Sequence, residues 1–226
     1  MVVVNTTHRG GPDARLATAL AAPDASARLR AALEVGTLGD PRFAETLVAR
    51  CAVEPDFFVR DMLTWALCRL PADITVPRLL AELRSERAQA RSQALHTLSK
   101  IGDRGAWPAV SGLLHDEHDE VALSAWRAVV VLVPHGAAEG LAADLAAALG
   151  RGDREMHLSL SRALAALDEA AAPVLAAAMA SPDPRVRAHA EATERLRLDP
   201  ESGFTLAVEA AKRVAVIGSN TIGSDT

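Results

Sequence analysis

Apolar residues along this chain recur at three- and four-residue steps, interrupted by short polar stretches holding Pro, Gly or Asp. That alternation predicts amphipathic helices joined by tight turns. One helix pattern returns along the chain. The segment DFFVRDMLTWALCRLP, beginning at Asp56, lies over RAQARSQALHTLSKIG, beginning at Arg87, at a shift of 31 residues that sets Val59 over Ala90 and Arg60 over Arg91. DEVALSAWRAVVVLVP carries the next copy, with Val121 a further 31 residues on. Ala27 and Arg28 precede Val59 and Arg60 by 32 residues, while Val186 and Arg187 follow the weaker match Met156 and His157 by 30. Six copies of one helix are visible, and a repeat of this length is a solenoid signature.

Second helices lie between the copies, in PRFAETLVARCA, VPRLLAELRS, AWPAVSGLLHD, EGLAADLAAALG and APVLAAAMAS. Each unit therefore reads as a helical hairpin. Pro41, Pro77, Pro108 and Pro173 are placed at or near the starts of these second helices, where a missing N–H costs little, and Pro184 opens a helix of the first kind. Asp24, Asp56, Asp153 and Asp183 precede first-type helices and are expected to cap their free amides. Two departures stand out. Ala122 replaces the repeating Arg, and the interval from Val121 to Met156 stretches to 35 residues, which predicts an irregular junction there.

The Val-Arg pair early in the helix, the Ala and Leu that follow, and the Ile-Gly-Asp turn resemble HEAT repeats, best seen from Ala90 to Asp103. The short period is similar to the bacterial form shared with phycobilin lyase-type repeats. The fold class expected is therefore all-α, an α-solenoid of about six HEAT-like hairpins over residues 24–200, after an N-terminal tail and cap helix within 1–23. Residues 201–226 are expected to supply a closing helix, Phe204 to Val216, and a loose tail; an alternative makes VVV and VAVIG short interaction strands. The resemblance also implies that Arg28, Arg60, Arg91 and Arg187 form an architectural ladder, stacking with the turn Asp between neighbouring repeats. The stretch from Cys51 to Val110 further resembles the HEAT segment of actinobacterial MerR-type regulators and their stand-alone relatives, which implies a sensing or docking half without the DNA-binding half.

Composition agrees with close helix packing: half of the residues are hydrophobic, only 3% are aromatic, and Tyr is absent. The basic residues number 24 against 29 acids, for a formal charge of -5, and only Lys100 and Lys212 are lysines. A nucleic-acid partner needs a basic footprint, so this balance argues against one. Cys51 and Cys68 are not in a metal-ligand spacing and are expected to be buried, reduced thiols. The opening MVVVNTTHRGG lacks the basic and apolar regions of a secretory signal, and no run is long enough to span a membrane. A cytoplasmic protein is expected.

No nucleophile elbow, P-loop or zincin motif is present, so no catalytic residue, cofactor or metal is assigned. HDEHDE, His115 to Glu120, has two histidines one turn apart that would suit a metal, but it falls at a turn where solvated charge is ordinary. Arg-Gly-Asp at 151–153 reads as a turn, and Trp107 beside Pro108 as a staple at a helix start. The more informative set comes from stacking equivalent positions of the inner helices, which line the concave face of a solenoid. Trp65, His96 and Arg127 are related by the 31-residue step, with Trp126 adjacent and Asp61, Arg69 and Gln93 within a turn or two. Aromatic and Arg side chains are preferred anchors, so these seven residues form the candidate partner-binding face, against the alternative that the tryptophans are core. The function expected is a non-enzymatic scaffold binding a protein or peptide. The alternatives are a small-molecule or lyase-type enzyme on the same scaffold, and DNA binding in the manner of HEAT-like glycosylases.

Overall fold

The computed structural model describes residues 12–199, which are helical throughout apart from turns and include no strand. The expected closing helix over Phe204 to Val216, the VVV and VAVIG segments and both tails lie outside the described residues. The chain divides after Leu132 into two compact units. Unit 1 holds α1 (Pro12–Leu20), α2 (Ala25–Leu38), α3 (Ala44–Cys51), α4 (Phe57–Cys68), α5 (Ala72–Glu82), α6 (Ala88–Ile101), α7 (Trp107–Ser111) and α8 (Asp119–Leu132). Unit 2 holds α9 (Ala138–Ala146), α10 (Arg154–Ala165), α11 (Ala172–Met179) and α12 (Pro184–Leu198). The division falls inside the stretched interval between Val121 and Met156.

The six repeating helices are α2, α4, α6, α8, α10 and α12, and within each unit they form the inner layer of a HEAT-like solenoid. In unit 1, α2 packs on α4, α4 on α6 and α6 on α8, while α3 packs on α5 in the outer layer. In unit 2, α10 packs on α12 and α9 on α11. Ala32, Val35, Leu63, Leu67, Leu95, Leu98 and Val129 fill the unit 1 core, and Leu145, Leu160, Leu164 and Leu175 that of unit 2. Full burial of such side chains contributes about 1.5–3 kcal/mol each. Hydroxyl pairs pin neighbouring inner helices: Thr64 with Thr97 at 3.4 Å and Ser161 with Thr193 at 2.7 Å at buried positions, and Ser92 with Ser124 at 2.8 Å at a part-buried one.

All four aspartates expected as caps serve as caps. Asp24 accepts from the Ala27 N–H, Asp56 from Val59, Asp153 from Glu155 and Met156, and Asp183 from Arg185. At the other end of α6, Gly102 closes the helix at φ 76°, a conformation that costs any residue with a Cβ. Pro77 departs from expectation. The second helix starts five residues earlier, behind Pro71, so Pro77 sits inside α5. It lies on the exposed side, where a helix tolerates the missing hydrogen bond by bending.

The repeating arginines do not pair with Asp40 or Asp103, which corrects the expected ladder. Each folds back onto the carbonyls of the turn before its own helix: Arg28 onto Ala22 and Pro23, Arg60 onto Glu54 and Pro55, Arg91 onto Ser85, and Arg187 onto Ser181 and Pro182. Two of them also grip an acid in the turn leading to the next inner helix. Arg28 makes two bonds of 2.7 Å to Glu54, and Arg91 two of 3.0 Å to Asp116. Asp40 and Asp103, the turn aspartates, instead cap the short 3-10 turns before α3 and α7.

Glu54 is the densest of these junctions. Its inaccessible carboxylate also accepts from Arg50 and from the Asp56 N–H, and its carbonyl accepts from Gln89 of α6. Burial pushes the Glu54 carboxyl up, but the bonds from Arg28, Asp56 and Arg50 together outweigh it and hold the group below the ordinary carboxylate range. Of the two thiols, Cys51 is buried and pushed up to about 12 by burial, as expected of an inert core cysteine. Cys68 corrects the expectation: at the end of α4 it is exposed.

Candidate functional site

Inner helices at one register place successive side chains side by side, and unit 1 carries a groove of about 280 Å³ where α4, α6 and α8 do so. It gathers Asp61 from α4, Gln93 and His96 from α6, and Arg127 from α8. These are four of the seven candidate residues. Phe57, Arg60, Glu120 and Ser124 complete much of the wall. The groove thus alternates charge, with Asp61 and Glu120 against Arg60 and Arg127.

His96 is half-buried on this wall. Burial lowers its pKa most, Lys100 and Arg127 lower it further, and Asp61 opposes them, so the imidazole is held neutral below its ordinary range. A neutral imidazole both donates and accepts, which suits a polar backbone or amide partner.

Trp65 and Arg69 stand outside this groove, one turn apart along α4. Trp65 is 39% exposed, with the Arg69 guanidinium over its ring at 5.8 Å from the centroid. The other edge of the indole rests on α2 at Gly36, where any Cβ would run into the ring. Trp65 is therefore half anchor, half surface.

Trp126 corrects the expectation. It is wholly buried in unit 1, and its indole Nε1 donates to the Leu114 carbonyl at 2.9 Å. The physical reason lies in the register: its equivalents are Leu95 and Thr64, both buried, whereas Arg127 shares the exposed register of His96 and Trp65. One residue along a helix is a turn of about 100°, enough to move a side chain from groove to core.

The HDEHDE cluster is absorbed by the ladder. Asp116 grips Arg91 and accepts from the His118 N–H, while His118 Nδ1 lies 3.1 Å from the Arg91 guanidinium. Among the described residues, no group of three or more His, Cys, Asp or Glu is placed to hold a metal ion. Arg-Gly-Asp at 151–153 forms the turn into α10, with Gly152 at φ 76° and Asp153 as the cap.

Two features escaped the sequence reading. Phe57 and Phe58 open α4 with their rings 5.6 Å apart, edge to face, and are 65% and 72% exposed. They are two of only four phenylalanines in the chain. A signal was available, since both precede the first core residue, Val59, on a helix whose core register was already fixed.

The second feature is in unit 2, where His157 of α10 and His189 of α12 stack with ring centroids 4.3 Å apart. His189 is buried; its Nδ1 accepts from the Gly150 N–H at 3.0 Å, so its Nε2 carries the proton and donates to the His157 carbonyl at 2.9 Å. Burial holds its pKa below the ordinary value.

An inner layer of repeating helices, four of them carrying a back-folding arginine, defines an all-α helical-repeat fold. No family model matches the chain, and no curated protein matches it. Solved structures similar to it include two engineered proteins from the Northeast Structural Genomics Consortium. They are 17% and 21% identical, cover 81% and 78% of this chain and 97% and 92% of their own, and give TM-scores of 0.46 and 0.45. The complex of CpcE and CpcF of phycocyanin lyase from Nostoc sp. PCC7120 is 19% identical over 84% of this chain and 79% of its own, with a TM-score of 0.48. At these identities and scores the likeness transfers no site or activity. Among the described residues, no helix is long and apolar enough to cross a membrane.

Proposed function

We propose that this chain is a non-enzymatic scaffold whose unit 1 inner face binds a protein or peptide, through Asp61, Gln93, His96 and Arg127 with Phe57 and Phe58 at one end and Trp65 and Arg69 beside them. The exposed phenylalanine pair carries the reading. A chain with 3% aromatics exposes two adjacent phenylalanines next to a polar groove, and such a pair suits an anchor that a partner covers. The groove's mixed charge favours a partner carrying both signs and opposes a phosphodiester backbone, which would meet Asp61 and Glu120. Its modest volume and the position of Trp126 in the core disfavour a deep substrate pocket. The resemblance of Cys51 to Val110 to the HEAT segment of MerR-type regulators supports a docking role within a regulatory assembly.

The test is affinity capture from the native host with the wild-type chain and the variant Phe57→Ser, Phe58→Ser, Asp61→Arg. A stoichiometric protein retained by the first and lost with the second is expected. Equal recovery by both, with both folded, would remove the reading.

A further inference from the structure

Unit 2 carries a second groove, of about 530 Å³, between α10 and α12. Volumes of this size are typical of small-molecule sites. Its floor is unlike that of unit 1. Leu158 of α10 and Ala188, Ala192 and Leu196 of α12 line it with apolar atoms, and the stacked His157 and His189 lie between the helices.

The charges at its rim are all positive: Arg154, Arg185 and Arg195 line the groove, with no carboxylate among the lining residues. Nearby, Glu194 is engaged at 2.8 Å by Arg197, which turns that acid away from the three. Arg154 is the first residue of α10, and Arg185 the second of α12. Two guanidiniums therefore flank one end of the groove, beside the helix starts that Asp153 and Asp183 cap. From Arg185 to Leu196 the groove follows α12 for roughly 16 Å at 1.5 Å per residue.

His157 adds an independent observation. It occupies the register of the ladder arginines, yet braces no turn, and its Nε2 is enclosed without a hydrogen-bond partner among the described residues. Buried polar atoms are rarely left so, and this one belongs to a residue lining the groove. At this repeat a histidine that lines the groove stands where four other inner helices carry an arginine.

We propose that the unit 2 groove binds a small amphipathic carboxylate, its head held between Arg154 and Arg185 and its apolar chain laid along Leu158, Ala188, Ala192 and Leu196. An anionic head answers the one-signed rim. An apolar chain answers the floor, which offers few polar partners and removes apolar area from water on binding. Arg195, further along, narrows the choice to ligands whose chain passes beneath its aliphatic stem.

The experiment is a titration of the isotope-labelled full chain with sodium dodecanoate below its micelle concentration, followed by amide shifts, with dodecyltrimethylammonium and acetate as comparators. Saturable shifts confined to α10 and α12 are expected for dodecanoate, with both comparators at least about tenfold weaker. Arg154→Glu with Arg185→Glu weakens dodecanoate by a similar factor, and Ala192→Phe, which fills the floor from an exposed position, abolishes binding while the melting curve stays cooperative. Equal binding of the quaternary ammonium, unchanged affinity in the arginine variant, or shifts at these helices with an acidic peptide and none with dodecanoate would each overturn the proposal.

Discussion

The two units build their inner layers from the same helix and put it to different use. In unit 1 two of the three ladder arginines reach forward as well as back, while Arg60 only folds back. Arg28 and Arg91 clamp Glu54 and Asp116 in the following turn, so the polar atoms at that register are spent on holding the stack. The groove is lined by Asp61, Gln93, His96 and Arg127 together with the ladder residue Arg60, and is polar. In unit 2 the same register holds His157, which stacks on His189 instead of bracing a turn, and the groove beside it is apolar with a cationic rim.

The comparison breaks first at Glu54. Glu54→Ala leaves Arg28 and Arg50 facing an inaccessible site, and an expected loss of about 3–5 kcal/mol should appear as an earlier urea midpoint. A loss below about 1 kcal/mol would show that the clamp is ornamental. Trp126→Ala should cost about as much, 3–5 kcal/mol, because the ring is wholly buried and its Nε1 is satisfied by Leu114. Trp65→Ala, at a half-exposed position, should cost clearly less in the same assay. In unit 2, Asp153→Ala removes two capping bonds to α10 and should cost about 1 kcal/mol, read as an earlier unfolding of α10 in hydrogen exchange.

The pH response is a smaller effect with a definite sign. Burial sets the folded pKa of His189 below that of the unfolded chain. Above about pH 6.5 neither state holds the proton, and stability is at its full value. As the pH falls below that point the unfolded chain protonates first, so stability declines until the folded pKa is passed. The melting temperature of wild type should fall across this window, and His189→Gln should flatten the fall. An unchanged slope in that variant would mean that His189 is not the group responsible. Smallest of all, Phe57→Ser with Phe58→Ser should leave stability within about 0.5 kcal/mol, since both rings are exposed.

Much of the fold was legible because helix period, caps and repeat spacing are local signals. The six inner helices and the four capping aspartates follow from residue type and interval, whereas the backbone carbonyls that the repeating arginines bond were not foreseen. Pro77 was misplaced because Pro71 offers an equally good helix start, and only packing chooses between them. His96 and Arg127 meet in one groove because the 31-residue step sets them side by side, while Asp61 and Gln93 join them from neighbouring turns of α4 and α6. Trp126 was read by adjacency instead of register, and its equivalents Leu95 and Thr64 would have placed it in the core. Glu54 gave no signal at all, because its value lies in partners 26 and 35 residues away that no local pattern records. The histidine pair was hidden similarly, by a separation of 32 residues between rings that meet only on packed helices.

The central claim is that the groove register of unit 1 faces a partner while the ladder register holds the stack. Site-specific photo-crosslinking in the native host tests it most directly, with the probe placed in turn at Gln93, in the groove, and at Arg78, on the exposed surface of α5. The account predicts a discrete protein adduct from position 93 that disappears with Phe57→Ser and Phe58→Ser, and none from position 78. Equal adducts from both positions, or an adduct from 78 alone, would contradict it.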